Sequence, residues 1–330
     1  MMKKILVASA KIGVSAGLLY FLFRKSDIGA FRETVSSLDV RTVLLAALIF
    51  LGTQCVATYR WSTVLKKDVR IPYPKLLSVY MIGMFFNNFL PTIVGGDIIK
   101  GYYLYRDTGK GDVSFASILM DRYSGYTALM FITLVALVPG YVLIKGTGLP
   151  LFFLLLVGGY LLASFFLWVD TLHAWLVRLL AKVRLFDLNE KIDKFYNVLM
   201  SYKGHPGILL RIFLLSLVVQ LGVIASYVVL GRGLGIDVPV GYYFLFIPLA
   251  TTVSMMPVSL AGLGLREGAF VFLFAKAGVA QEQALGLSLV WFAIVVAISL
   301  VGGVEYVRAG GKKGKEGKKF GPEAEGQKTD

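Results

Sequence analysis

Three charged clusters stand inside or beside long apolar runs: Asp97 with Lys100, Asp121 with Arg122, and Arg266 with Glu267. A charge near the middle of a bilayer costs at least about 2.5–3.5 kcal/mol and is retained where it pairs or binds something. A cation beside an acid suits two tasks. It can neutralise a phosphate while the acid balances or switches it, or the two can fix helix packing as an internal salt bridge. Two of the clusters also follow unusual backbone. Asn87, Asn88, Pro91, Gly95 and Gly96 precede Asp97, while Pro257, Ser259, Gly262 and Gly264 precede Arg266. Proline lacks an N–H and glycine admits left-handed backbone, so a helix is expected to break at both places. Half-helix ends exposed in this way can hold charged substrate groups.

Other chemistries lack their residues. There is no Walker A lysine, and Gly262-x-Gly264 is too short for a nucleotide loop. Both histidines, His173 and His205, lie far from the Gly-rich stretches, so no Ser–His–Asp arrangement forms. Cys55 is the one cysteine, which leaves no thiolate set for zinc, and Asp97, Asp121 and Glu267 are isolated in sequence rather than clustered for a metal. Neither a catalytic residue nor a cofactor nor a metal is expected. The candidate substrate-binding residues are Asn88, Pro91, Gly95, Gly96, Asp97, Lys100, Asp121, Arg122, Pro257, Ser259, Gly262, Gly264, Arg266 and Glu267.

The elements that must position these residues follow from composition. Of 330 residues, 57% are hydrophobic and only 16% charged, with a mean hydropathy of +0.72. Globular chains average about a quarter charged, so a soluble enzyme is the wrong class. The apolar and aromatic content also excludes disorder. A polytopic helical membrane protein remains, all-α. The net charge of +14 fits Lys and Arg gathered in loops beside anionic headgroups rather than nucleic acid.

Crossing takes about 20 apolar residues. Runs of that kind lie at about 5–23, 43–61, 114–138, 149–169, 208–231 and 284–306, which gives about six full spans. The interrupted stretches at about 76–107 and 242–278 are expected as two re-entrant helical hairpins entering from opposite faces. Basic residues orient the chain: Arg178, Lys182, Arg184, Lys191, Lys194 and Lys203 on one segment, and Arg308, Lys312, Lys313, Lys315, Lys318 and Lys319 at the end, place both termini in the cytoplasm. The first outer loop, with Arg24, Lys25, Arg32 and Arg41, runs against that orientation. Arg60 is expected to mark the end of the second span. The segment at about 171–205 reads as a basic amphipathic helix on the membrane surface or a short cytoplasmic connector. Residues 1–308 form the membrane domain and 309–330 a disordered tail. Gly158-Gly159 offers a small-residue face for a homodimer.

The run Asn87-Asn88-Phe89-Leu90-Pro91, then Gly95-Gly96-Asp97, Asp121-Arg122, Met256-Pro257-Val258-Ser259, Gly262-Leu263-Gly264 and Arg266-Glu267 resembles the lysylphosphatidylglycerol synthase transmembrane-region family, the flippase-like membrane proteins. The resemblance extends from about residue 5 to 306. Lys100 stands where this family often has arginine, which keeps the charge and loses bidentate phosphate contact. The resemblance implies a bundle with two re-entrant hairpins that handles lipids, in some members moving aminoacylated phosphatidylglycerol between leaflets. Bifunctional members carry a separate cytoplasmic aminoacyl-transfer domain, for which the tail here has no room, so synthase activity is not expected. The reading is a flippase-type transporter in a prokaryotic inner membrane for an anionic, aminoacylated or polyprenyl-phosphate lipid. The alternatives are a lipid-modifying enzyme of glycosyltransferase type and a membrane partner subunit of a separately encoded enzyme.

Overall fold

The computed structural model describes residues 2–90, 95–169, 171–172, 188–256, 258–259 and 262–316. Pro91, Pro257, residues 173–187 of the expected amphipathic segment and the end of the tail lie outside the described residues. Among the described residues all regular structure is helical. In chain order the helices are α1 (Met2–Lys25), α2 (Ile28–Ser36), α3 (Val40–Leu65), α4 (Tyr73–Phe89), α5 (Gly95–Thr108) and α6 (Gly111–Ile144). They continue with α7 (Leu149–Trp168), α8 (Leu188–Lys203), α9 (Pro206–Gly233), α10 (Val240–Ser254), α11 (Leu265–Ala275) and α12 (Gln281–Glu316).

Five of these are long and apolar enough to cross a membrane: Val40–Leu65, Gly111–Ile144, Leu149–Phe166, Pro206–Gly233 and Gln281–Ala309. They coincide with five of the six expected spans. The sixth falls on α1, a helix of 24 residues whose described apolar run is Gly13–Arg24. Local chemistry sets several starts. Asp27 accepts the N–H groups of Gly29 and Ala30 to cap α2, and Asp39 accepts that of Arg41 to cap α3. Prolines in the first turns of α4, α7 and α9 remove an N–H that has no partner there anyway. Helix α12 continues past the expected boundary at 308 to Glu316, because an established helix extends at low cost.

The interrupted stretches fold as two pairs of short helices, each pair packed on itself. Helix α4 has 17 residues and α5 has 14; at 1.5 Å per residue neither covers the roughly 30 Å of hydrocarbon. The start of α4 and the end of α5 lie side by side, since Lys75 Nζ sits 3.1 Å from Asp107 Oδ2. At the other end the backbones touch: a Cβ on Gly96 would collide with the Gly83 carbonyl, so only glycine permits this approach. Asn87 Oδ1 then accepts the Gly96 N–H at 2.9 Å and ties α4 to the first turn of α5.

Helices α10 and α11 have 15 and 11 residues. The turn between them uses Gly262 at φ 78° and Gly264 at φ 85°, a region that costs other residues about 1–2 kcal/mol. Gly264 is also confined by α1, where Leu18 Cβ would stand 2.6 Å from an added Cβ. The main core joins α3, α9, α11 and α12 through stacked and edge-on rings: Phe50 on Trp291, Trp291 on Tyr227, Tyr227 on Phe270 and Phe270 on Phe274. The closest helix companionship is that of α3 with α9.

Candidate functional site

Arg60 and Asp121 lie on α3 and α6, deep between the helices. Both are essentially shut off from solvent, 5% and 2% exposed. Arg60 Nε donates to Asp121 Oδ1 at 2.9 Å, Arg60 Nη2 stands 2.8 Å from the same oxygen, and Nη1 donates to Ser216 Oγ on α9 at 2.9 Å. Arg60 therefore does not mark the end of its span. The apolar run continues past it through Trp61, Val64 and Leu65, all buried, and the guanidinium points inward to a carboxylate.

Asp121 meets a second cation. Lys100 Nζ lies 3.8 Å from Asp121 Oδ2 and 3.1 Å from Asp97 Oδ1. Its aliphatic stem crosses Gly83, where no side chain could be accommodated. The ammonium also stands 4.8 Å from the centre of the Tyr80 ring and 5.3 Å from that of Trp61, a cation–π arrangement worth more once desolvated. Trp61 Nε1 in turn donates to Ser117 Oγ at 3.2 Å. Lys100, 4% exposed, is thus enclosed by protein.

Arg122 completes the chain of charges. Its Nε donates to Asp97 Oδ2 at 2.8 Å. Adjacent residues on a helix point about 100° apart, so the sequence neighbours Asp121 and Arg122 do not pair; one turns inward to Arg60 and Lys100, the other outward to Asp97. The Arg122 side chain is 44% exposed. Among the described residues its two terminal nitrogens have no hydrogen-bond partner. The order Arg60–Asp121–Lys100–Asp97–Arg122 crosses α3, α6 and α5 and sets three cations against two carboxylates.

Arg122 and Asp97 stand in the wall of a groove of about 670 Å³ between α5 and α6. Apart from these two the lining is largely apolar and aromatic, with Tyr102, Tyr105, Phe115 and Ile118 among its residues. Ile98, Tyr102 and Tyr105 recur at i, i+4 and i+7 and form an exposed stripe along α5. Met255, at the end of α10, lines the same groove. The two short-helix pairs thus converge here. A second hollow of about 450 Å³ between α6, α9 and α10 is almost wholly apolar and contains no charged side chain.

The third sequence cluster is separate. Glu267 is fully buried; its Oε1 accepts from Arg266 Nη2 at 2.6 Å and from Ser288 Oγ at 3.1 Å, while Oε2 accepts the Gly264 N–H at 2.6 Å. Glu267 thereby closes the first turn of α11, half of a capping box. Arg266 is held between Glu267, Ser288 and the Phe292 ring at 4.6 Å. No hydrogen bond or ion pair among the described residues joins this cluster to the one around Asp97.

The remaining expected residues divide in the same way. Gly95 and Gly96 begin α5 beside Asp97. Asn88 donates back to the Met84 carbonyl at 3.2 Å. Ser259 is buried, its hydroxyl without a hydrogen-bond partner among the described residues, and Gly262 and Gly264 form the turn before α11. The candidate site residues expected from sequence did not include Arg60, read as a span end, or Asn87, read as part of the interruption, nor Trp61, Ser216 or Ser288. Serine and tryptophan occur throughout membrane helices; only the packing of α3 against α6 and α9 gives Trp61 and Ser216 a polar partner, and only that of α11 against α12 gives Ser288 one.

A multi-pass helical membrane protein is what this architecture defines, with an internal charge network ending in a partly exposed arginine. Its family is that described as the lysylphosphatidylglycerol synthase TM region, which matches residues 8–303, and the chain belongs to it. It is similar to a UPF0104 membrane protein of Methanothermobacter thermautotrophicus, 22% identical over 330 positions that cover 91% of this chain and 92% of that one. A UPF0104 membrane protein of Pyrococcus horikoshii is 31% identical over 88 residues, 26% of each chain. The glycosyltransferase AglD of Haloferax volcanii is 31% identical over 118 residues, 34% of this chain and 19% of that protein.

Proposed function

We propose that this protein is a flippase-type transporter that carries a phosphate-containing lipid head between leaflets through the groove at Arg122. One observation carries the reading: an arginine with a 44% exposed side chain in the wall of a largely apolar groove, its Nε pinned by Asp97 and its terminal nitrogens without a hydrogen-bond partner among the described residues. Arginine presents five N–H donors, so four remain to grip phosphate oxygens in a forked geometry. Orientation is fixed in advance by the Asp97 bond, which spares the binding step the cost of ordering a long side chain. Lys100 acts behind this pair, holding Asp97 in place and supplying positive potential, and is itself positioned by Asp121. Arg266 and Glu267 brace α11 instead of touching the lipid.

In this reading α4–α5 and α10–α11 are re-entrant pairs that dip from opposite faces of an inner membrane, with both termini cytoplasmic. The second pair reaches the groove through Met255 at the end of α10. Acyl chains stay in the bilayer against the exposed stripe of Ile98, Tyr102 and Tyr105, and the head alone enters the polar wall. With no nucleotide motif in the sequence, movement follows a lipid gradient or an ion gradient.

The local similarity to a glycosyltransferase favours a second reading, a membrane subunit or enzyme of lipid glycosylation. Reconstitution separates the two. Proteoliposomes containing acyl-labelled phosphatidylglycerol are treated with a membrane-impermeant quencher; protein-dependent loss of the inner-leaflet signal supports transport. Signal loss equal to that of protein-free vesicles, together with glycosyl transfer by the solubilised protein, overturns it.

A further inference from the structure

The charges at the groove also select among lipid heads, an inference that rests on the groove of the proposed transporter. Arg60, Lys100 and Arg122 face only Asp97 and Asp121 in the network, which leaves one positive charge in excess. That excess emerges at Arg122, the one member with a substantially exposed side chain. Among the described residues Asp97 is the single carboxylate in the groove lining, and it is already engaged by Lys100 at 3.1 Å and Arg122 at 2.8 Å. The other lining residues are apolar, aromatic, glycine or serine.

We propose that the groove takes a membrane lipid whose phosphate head carries net negative charge and no ammonium, and discriminates against aminoacylated lipids. A phosphodiester monoanion would bring the network to neutrality at Arg122. An aminoacyl head would add an ammonium for which the lining holds no free carboxylate, and would face the uncancelled charge of Arg122 across a low-dielectric groove, where like charges repel most strongly. Specificity of this kind comes from an unpaired charge against the wrong ligand as much as from contacts to the right one. Selection here therefore runs opposite to what the family name suggests for a lysylated lipid.

Lipid retention by the full-length protein in detergent, read by native mass spectrometry, tests this without requiring transport. Phosphatidylglycerol and lysyl-phosphatidylglycerol are titrated singly and in competition against wild type, Arg122→Gln and Arg122→Lys. The expected result is a preference for phosphatidylglycerol of about tenfold or more in wild type, reduced in Arg122→Lys and abolished in Arg122→Gln. Equal retention of the two lipids by wild type, or a preference that survives in Arg122→Gln, overturns the proposal, and the wild-type comparison stands even if a variant does not fold. Selective retention by a protein that moves no lipid would sink the transport reading alone; translocation without charge preference would sink this one alone.

Discussion

Arg60 Nε and Asp121 Oδ1 lie 2.9 Å apart across sixty-one residues of chain, and their contact joins α3 to α6 at a depth where water does not reach. An ion pair placed there is costly to break from one side. Removing a single partner strands the other charge in a low-dielectric interior, at about 3–5 kcal/mol. Asp121→Ala and Arg60→Ala are each expected to lower the thermal midpoint sharply or to prevent accumulation in the membrane. The pairwise replacement Arg60→Met with Asp121→Leu is expected to recover most of that loss, read by the melting of detergent-solubilised protein.

Gly96 sits directly on the Gly83 backbone, with the Asn87 carboxamide capping the same turn. A methyl group at Gly96 has no space unless α5 moves off α4, which would also carry Asp97 and Lys100 away from Asp121. Gly96→Ala is therefore expected to destabilise the protein and abolish transport together. Asn87→Ala, which removes one hydrogen bond, is expected to cost about 0.5–2 kcal/mol and leave measurable transport.

Glu267 serves α11 rather than a ligand, so its replacement reads out as stability. Glu267→Gln keeps the shape but loses the charge that holds Arg266 and weakens the bond from the Gly264 N–H. A loss of about 3 kcal/mol or more is expected, measured by the thermal midpoint, while lipid selectivity in the folded fraction stays as in wild type.

Much of this was legible in the sequence. The apolar runs gave the class and five spans to within a few residues, because a bilayer leaves only helices as a solution and their length is fixed by its thickness. Asn87, Gly95, Gly96, Gly262 and Gly264 marked the two interruptions through their backbone chemistry. The partnerships were not legible. Asp121 and Arg122 look like a pair in sequence, yet helix geometry turns them to different neighbours, and Arg60 looks like an interfacial residue until α6 and α9 are packed against it. Which cation keeps free donors depends on three helices at once, so the sequence does not tell Arg122 apart from Lys100 and Arg266, the two that the folded protein encloses.

The groove should be reachable from lipid. After Cys55→Ser, single cysteines at Tyr102 or Phe115, both about half exposed, are expected to react with a lipid-soluble maleimide and resist a charged one. A cysteine at the buried Leu104 is expected to resist both. Labelling of the two groove positions by the charged reagent alone would place them in water.

If Arg122 grips the lipid phosphate, replacing it must slow the translocation of phosphatidylglycerol in proteoliposomes, measured side by side for wild type, Arg122→Gln and Lys276→Gln. Lys276 follows α11, outside both groove and network. Hydrogen bonds to a charged group contribute about 1.5–3 kcal/mol, so Arg122→Gln is expected to slow transport by about tenfold to a hundredfold in the folded fraction, with a lowered thermal midpoint because Asp97 keeps only Lys100 as a partner, while Lys276→Gln equals wild type in both. An Arg122→Gln protein that inserts, melts and transports like wild type would contradict the account.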